Sequence, residues 1–292
     1  MPESPRDILR RIRGIKSTQQ ITKAMEMVSA VKLTRVRNQA ENARDYVDAM
    51  ARMVRILCTT AADSDHVLFQ ERERDNILLI VVTSDRGLCG TFNTSVINAV
   101  EEFREEHVGQ RITLICIGRK GAEALGRLGY DIEEALDVPW GAEVIQREVE
   151  RINYNALGAY ESGRFDAVYL LYSRFENVLV YKPTVAQHLP VPRLSEEEEK
   201  ALAKWTIDFL LEPDFDSLAN VLIPQYLETQ LHFALIESLA SEYAARMVAM
   251  RNANDNAEEV IDELNLSYNK ARQASITRDL IDIIGGVEAL NG

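Results

Sequence analysis

Read at alternating steps of four and three, the first stretch of the chain carries one unbroken line: Ile8, Ile12, Ile15, Gln19, Thr22, Glu26, Ser29, Leu33, Val36, Ala40, Ala43, Val47, Met50, Val54 and Leu57. A heptad repeat of this kind marks a helix that wraps around a partner helix. The line is apolar at both ends and polar in the middle. From Gln19 to Ser29 the seam positions turn polar, while Ile21, Met25 and Val28 form an apolar line on a neighbouring face. The pattern predicts that the seam loosens there and that the helix offers hydrophobic surface to another molecule. Pro5 and Asp7 suit the first turn of such a helix. Residues 1–62 are read as this element, and its heptad line of about 50 residues makes a rod of roughly 75 Å at 1.5 Å per residue.

Residues 63–76 are polar and read as a linker. The period then changes. Ile77 to Thr83 (ILLIVVT), Arg111 to Gly118 (RITLICIG) and Asp166 to Tyr172 (DAVYLLY) are apolar runs of strand type, and Val178 to Gln187 reads as a hairpin strand. Between them lie helical patterns at Thr91 to His107, Lys120 to Leu128 (ended by Gly129) and Ala142 to Ser162. Strands separated by helices imply a mostly parallel sheet, so residues 77–190 are expected to form an α/β domain. Residues 191–215 form an acidic linker. Its Glu196 to Glu199 run reads as solvated, and Thr206 to Leu211 as one more edge strand. From residue 216 to 292 a second heptad line appears: Leu222, Tyr226, Thr229, Phe233, Ile236, Ala240, Tyr243, Met247, Met250, Asn254, Ala257, Ile261, Leu264, Tyr268, Ala271 and Ser275. Pro224 marks either a kink or the true first turn, and Gly285-Gly286 is expected to close the helix. The predicted fold is α/β plus a long coiled coil. The N- and C-terminal helices form an antiparallel coiled coil flanking a central Rossmann-like α/β domain. A parallel homodimer of either helix is the competing arrangement.

Charge sharpens this. The net charge is −13, which argues against general nucleic-acid binding. Residues 1–55, however, hold 12 Lys and Arg against 6 Asp and Glu. The first helix is therefore a basic rod on an acidic body, suited to an acidic partner surface. Apolar residues at 46% and charged residues at 27% describe an ordered protein. Cys58, Cys89 and Cys116 lack metal-ligand spacing and fit a reducing compartment. The start, MPESPRDILRR, has the features of neither a signal peptide nor a transit segment, and no run of 18 apolar residues occurs.

Candidate chemistry is sparse. Ser84-Asp85-Arg86-Gly87-Leu88-Cys89-Gly90 follows a strand and opens a helix, a place where anions bind. It matches neither GxGxxG nor GxxxxGK[ST], so a tight βα turn is the simpler reading, with Asp85 and Arg86 as a structural ion pair. Gly118, Gly121, Gly126 and Gly129 frame a short helix and read as packing and caps. Cys89 has no nearby His, and His66, His107, His188 and His232 are scattered, so neither a nucleophilic thiol nor a metal site is expected. No cofactor is expected. Met25 and Met27, with Lys23 beside them, lie off the seam. Methionines there suit a surface that must fit more than one arrangement.

These residues carry a resemblance. Ile21 to Ser29 (ITKAMEMVS) with Lys32-Leu33, Ser84 to Gly90 (SDRGLCG), and Glu242 to Met247, Asp255 to Ala257, Leu266 to Gln273, Ile276-Thr277 and Ile284 to Gly286 resemble, in order along the whole chain, the gamma subunit of F-type ATP synthase. Membership would imply a non-catalytic rotor shaft within a ring of alpha and beta subunits. Its α/β foot would stand beside the epsilon subunit and the membrane ring of c subunits. Proton flow (in some members sodium flow) would turn the shaft, and ATP would form on beta. The resemblance implies beta contacts at Lys23, Met25, Glu26, Met27, Val28, Arg272 and Gln273. It also implies a tip held in an apolar sleeve at Leu280, Ile281, Ile284, Val287 and Leu290, and a foot motif at Ser84, Asp85, Arg86, Gly87, Leu88, Cys89 and Gly90. It places the protein peripherally on the cytoplasmic face of a bacterial plasma membrane. Thr91-Phe92-Asn93 stands where Gly-Tyr-Asn is commoner in the family, a departure confined to the foot. No insert with a cysteine pair separates the strands at 77–83 and 111–118, which argues against the light-regulated chloroplast form. A coiled-coil scaffold with a nucleotide-binding α/β domain is the alternative.

Overall fold

The structure, a computed structural model, describes residues 4–60, 66–138, 142–192, 212 and 214–291. The acidic run at 196–199 and the edge strand expected at 206–211 lie outside the described residues. The elements, in chain order, are helix α1 (Pro5–Thr60), a 3-10 turn (Val67–Phe69), β1 (Asn76–Val82), α2 (Phe92–Glu106), β2 (Arg111–Ile117) and α3 (Arg119–Arg127). Then come β3 (Asp131–Leu136), α4 (Ala142–Glu161), β4 (Ala167–Phe175), β5 (Tyr181–Leu189) and α5 (Phe215–Asn291). They fall into two compact units, residues 1–30 with 246–292 and residues 31–245.

In the first unit α1 and α5 pair through the predicted seam. Ile8, Ile12 and Leu264 are buried together, with Ile15, Tyr268 and Ala271 packed against them. Further along α1, Glu26 meets Arg251, so the partner number falls as the α1 number rises and the pair is antiparallel. Each apolar seam side chain taken out of water contributes about 1.5–3 kcal/mol. The expected loosening at Gln19 to Ser29 does not occur. Thr22 and Ser29 are buried. Their hydroxyls donate to the carbonyls of Gln19 (3.0 Å) and Met25 (2.8 Å). Small residues satisfied by their own helix keep the seam closed without an apolar side chain.

In the second unit the sheet has order β3-β2-β1-β4-β5. All neighbours are parallel except β4 and β5. β1 is buried on both faces from Ile77 to Val82, as its unbroken apolar run requires. Ile77, Leu79 and Val81 share one core with Val96, Val100 and Phe103 of α2 and Leu125 of α3. Helix α5 crosses β4: the Ser173 amide donates to Ser238 Oγ at 3.4 Å and Ser241 Oγ to the Ser173 carbonyl at 3.0 Å. Helix α1 is also in place here, with the Lys32 ammonium 5.3 Å from the Tyr243 ring centroid.

Several expectations are corrected. The stretch DIEEAL, which carries no apolar run, is strand β3, paired parallel to β2. α5 starts at Phe215, so Pro224 is an interior residue and not its first turn. α5 also runs through Gly285-Gly286 to Asn291, because glycine inside a helix costs only about 1 kcal/mol and does not by itself end it. Residues expected as plain linker include Leu68 and Phe69, both buried; Phe69 lies against Phe215, with ring centroids 6.2 Å apart.

Candidate partner-bearing surfaces

Once α1 has closed its seam, apolar side chains remain outside. In the first unit Ile21, Met27 and Val28 are 59%, 57% and 55% exposed, whereas Met25 is half-buried. Lys23 is exposed beside them. Glu26 is tied to Arg251. Of the residues the resemblance points to on α1, Lys23, Met27 and Val28 thus face outward, while Glu26 also serves the helix pair.

The far end of α5 repeats the pattern more strongly. Its seam ends at Ser275. Beyond it, Leu280, Ile281, Ile284 and Val287 are more than half exposed. Ile276 and Ile283, which are not among the tip residues the resemblance implies, are exposed beside them. The signal was available: steps of four, three and four from Ile276 to Leu280, Ile283 and Val287 mark a second apolar line. The side chain of Leu290 lies outside the described ones. Arg272 and Gln273 are exposed just before this segment. Contiguous exposed apolar surface of this kind marks a protein interaction site.

The loop Ser84 to Gly90 is a fastening rather than a cradle. The Asp85 carboxylate accepts the Arg119 amide at 3.1 Å and the Val138 amide at 3.1 Å, and the Arg119 guanidinium stands 3.9 Å away. Arg119, 34 positions away in the sequence, is therefore a cation paired with it. This carboxylate sits at the first turn of α3, where an acidic group suits the helix N-terminus. Ser84 is buried and its amide donates to Asn93 Oδ1 at 3.0 Å. Cys89 is buried with Phe92 against Ala245 of α5. The loop turns through Leu88 (φ 63°) and Gly90 (φ 57°), the left-handed region that suits glycine and strains leucine. Its Cys89 therefore packs the first βα turn onto α5. Burial pushes the Cys116 thiol up to about 12, so it is inert at neutral pH. Among the described residues, no His, Cys, Asp and Glu cluster suited to a metal is present. Nor is any helix long and apolar enough to cross a membrane.

Comparison with known proteins supplies the context. A family model described as ATP synthase matches residues 4–290. ATP synthase gamma chains of Pelotomaculum thermopropionicum and Heliobacterium modesticaldum are 40% and 39% identical, each aligned over 98% of this chain and over 99% and 98% of their own lengths. The chain belongs to the ATP synthase gamma-chain family. Among solved structures, a chain of the Tetrahymena thermophila mitochondrial ATP synthase central stalk and c-ring matches at 26% identity. Its TM-score is 0.59, and the match covers 80% of this chain and 99% of that one. A chain from the Euglena gracilis mitochondrial ATP synthase assembly of OSCP, F1 and c-ring has a TM-score of 0.68 at 21% identity, covering 98% and 94%, and agrees in fold. For a gamma chain, an antiparallel helix pair with apolar faces turned outward is a shaft built to be touched from outside.

Proposed function

We propose that this chain is the central rotor shaft of a bacterial F-type ATP synthase, coupling transmembrane proton flow to ATP synthesis on the beta subunits by rotation. It is a non-catalytic subunit. The observation that carries the reading is full-length membership of the gamma-chain family, together with outward apolar faces on the helix pair. The mechanical logic is differential contact. A shaft that touched every beta subunit alike would shift no equilibrium between their states. Two helices that differ residue by residue present a different face in each direction.

In finer detail, Lys23, Met25, Glu26, Met27 and Val28 are the proposed bearing on the acidic lever of beta, and Arg272 and Gln273 a second contact with beta. The segment Leu280, Ile281, Ile284, Val287 and Leu290 is the proposed tip, turning in an apolar sleeve. The sheet unit, fastened through Ser84 to Gly90, is the proposed foot. It would meet the epsilon subunit and the c ring at the cytoplasmic face of the plasma membrane. Exposed apolar residues at the α1 bearing and at the tip, and the basic balance of the first helix, support these assignments.

Reconstitution tests the reading. The purified chain alone has no ATPase activity. Added to alpha and beta subunits, and to membranes stripped of the head, it restores proton-coupled ATP synthesis. A chain that assembles with alpha and beta but leaves synthesis absent would overturn the proposal.

A further inference from the structure

In the helix pair, Ala271 is the last α5 residue packed in the cluster around Ile8 and Ile12, and α1 begins at Pro5. α5 continues to Asn291, so residues 272–291 run on beyond the start of α1. The directions in which their side chains leave the helix follow from its pitch, since each residue turns by roughly 100°. With Ile276 as the reference, Leu280, Ile283 and Val287 leave within about 40° of it, and Ile284 about 80° to one side. All five are half or more exposed. The seam residues Leu264, Tyr268 and Ala271 lie about 80–140° away on the other side. The apolar stripe is therefore a new face of α5, not the seam carried further.

Two more residues belong to that face. Arg272 and Gln273, both exposed, leave about 40° and 60° to either side of Ile276. They flank the stripe one turn below it. Ala274 and Arg278 are also exposed and leave about 160° from Ile276, on the far side; Ile281, at about 140°, stands with them. A guanidinium such as that of Arg278 resists transfer from water into apolar surroundings. One side of the helix is thus apolar with a cation at its lower edge, and the opposite side carries a charge.

We propose that Arg272, Gln273 and the stripe Ile276, Leu280, Ile283 and Val287 form one continuous contact face that docks on a single beta subunit at a time, leaving the side of Ala274 and Arg278 in water. The proposal rests on the reading of the chain as a shaft whose Arg272 and Gln273 meet beta. Because the stripe shares their face, it meets the same subunit, through an apolar surface bordered by a carboxylate for Arg272. A face docked on one beta subunit distinguishes it from the others, and that difference is what shifts its equilibrium.

Two measurements on the chain assembled with alpha and beta subunits, without nucleotide, test this. In the first, Ile276→Cys, Ile283→Cys, Ala274→Cys and Arg278→Cys chains are alkylated with a maleimide, and the rate at each introduced thiol is read by peptide mass in the free chain and in the assembly. Assembly should slow alkylation about tenfold or more at 276 and 283, and less than about twofold at 274 and 278. In the second, a chain with Gln273→Cys and Ile283→Cys carries benzophenone at both positions. Product in which both have reacted should contain one chain and one beta subunit. Equal slowing at all four positions, attachment of two beta subunits, or attachment of position 283 to alpha would each overturn the proposal while leaving the rotor role standing. Slowing at none of the four positions in an assembly that hydrolyses ATP would overturn it together with the assignment of the tip.

Discussion

Glu26 Oε1 lies 2.9 Å from Arg251 Nε, bridging α1 and α5 at the polar stretch of the seam. Glu26 is 21% exposed and Arg251 57%, so solvent screens much of the attraction. A double-mutant cycle with Glu26→Ala and Arg251→Ala is expected to give a coupling energy of about 0.2–1 kcal/mol. Urea unfolding of the four proteins measures it. A coupling of several kcal/mol would mean that the pair holds the helices together, against this account.

The seam and the outer face should separate stability from assembly. Ile12→Ala and Leu33→Ala empty buried positions and are expected to cost about 2–5 kcal/mol each. Ile21→Ala and Val28→Ala remove exposed side chains and should stay within about 0.5 kcal/mol of the parent. If the outer face bears on beta, these exposed variants weaken binding to the alpha and beta subunits while their unfolding midpoints hardly move. Exposed variants that unfold as readily as the seam variants would contradict the division.

Met25 is half-buried beside exposed Lys23. Met25→Lys sets an extra cation at the proposed bearing on the acidic lever of beta. A stronger local attraction there hinders rotation more than it hinders nucleotide turnover. ATP-driven proton pumping should fall severalfold more than ATP hydrolysis in the same membranes. Equal loss of both, or loss of neither, would count against this placement.

His188 on β5 is fully buried, with Nδ1 2.7 Å from Gln230 Oε1 on α5 and Nε2 3.3 Å from Asn153 Oδ1 on α4. Burial pushes its pKa down to about 4, and the Gln230 bond opposes this. The folded value lies below the unfolded value of 6.5, so the unfolded chain binds the extra proton. The stabilisation is complete above about pH 6.5 and is lost as pH falls toward 4, with an upper bound of about 3 kcal/mol. His232 is shifted the same way by burial, and its contribution remains in a His188→Gln variant. Urea midpoints between pH 4.5 and 7 should therefore rise less steeply for His188→Gln than for the parent. Identical slopes would contradict the assignment.

The shaft was legible because its signal repeats: every seam position from Ile8 to Leu57 is buried or half-buried. Strand β3 was not, because Asp131, Glu133 and Glu134 look like loop residues until their partners are known. Those partners, Arg111, Arg164 and Arg151, are remote in sequence. The second heptad line also captures only part of α5. Ala219, Ile223, Leu227 and Leu231 lie off it and are fully buried, since this part of α5 must also pack within the sheet unit. Of the proposed surfaces, exposed Val28 and Ile284 follow directly from lying off the seam. Met25 does not: its half-burial depends on how the helices meet. What bears on these residues is not in the periodicity at all and enters only through kinship with the gamma chains.

The central claim is that this chain turns inside the ring of alpha and beta subunits. Val108, at 85% exposed in the turn between α2 and β2, is a suitable attachment point. A Val108→Cys chain, labelled there and assembled with surface-fixed alpha and beta subunits, should carry its probe through successive full turns in one direction when ATP is added. A probe that stays fixed while the same assembly hydrolyses ATP would contradict the account.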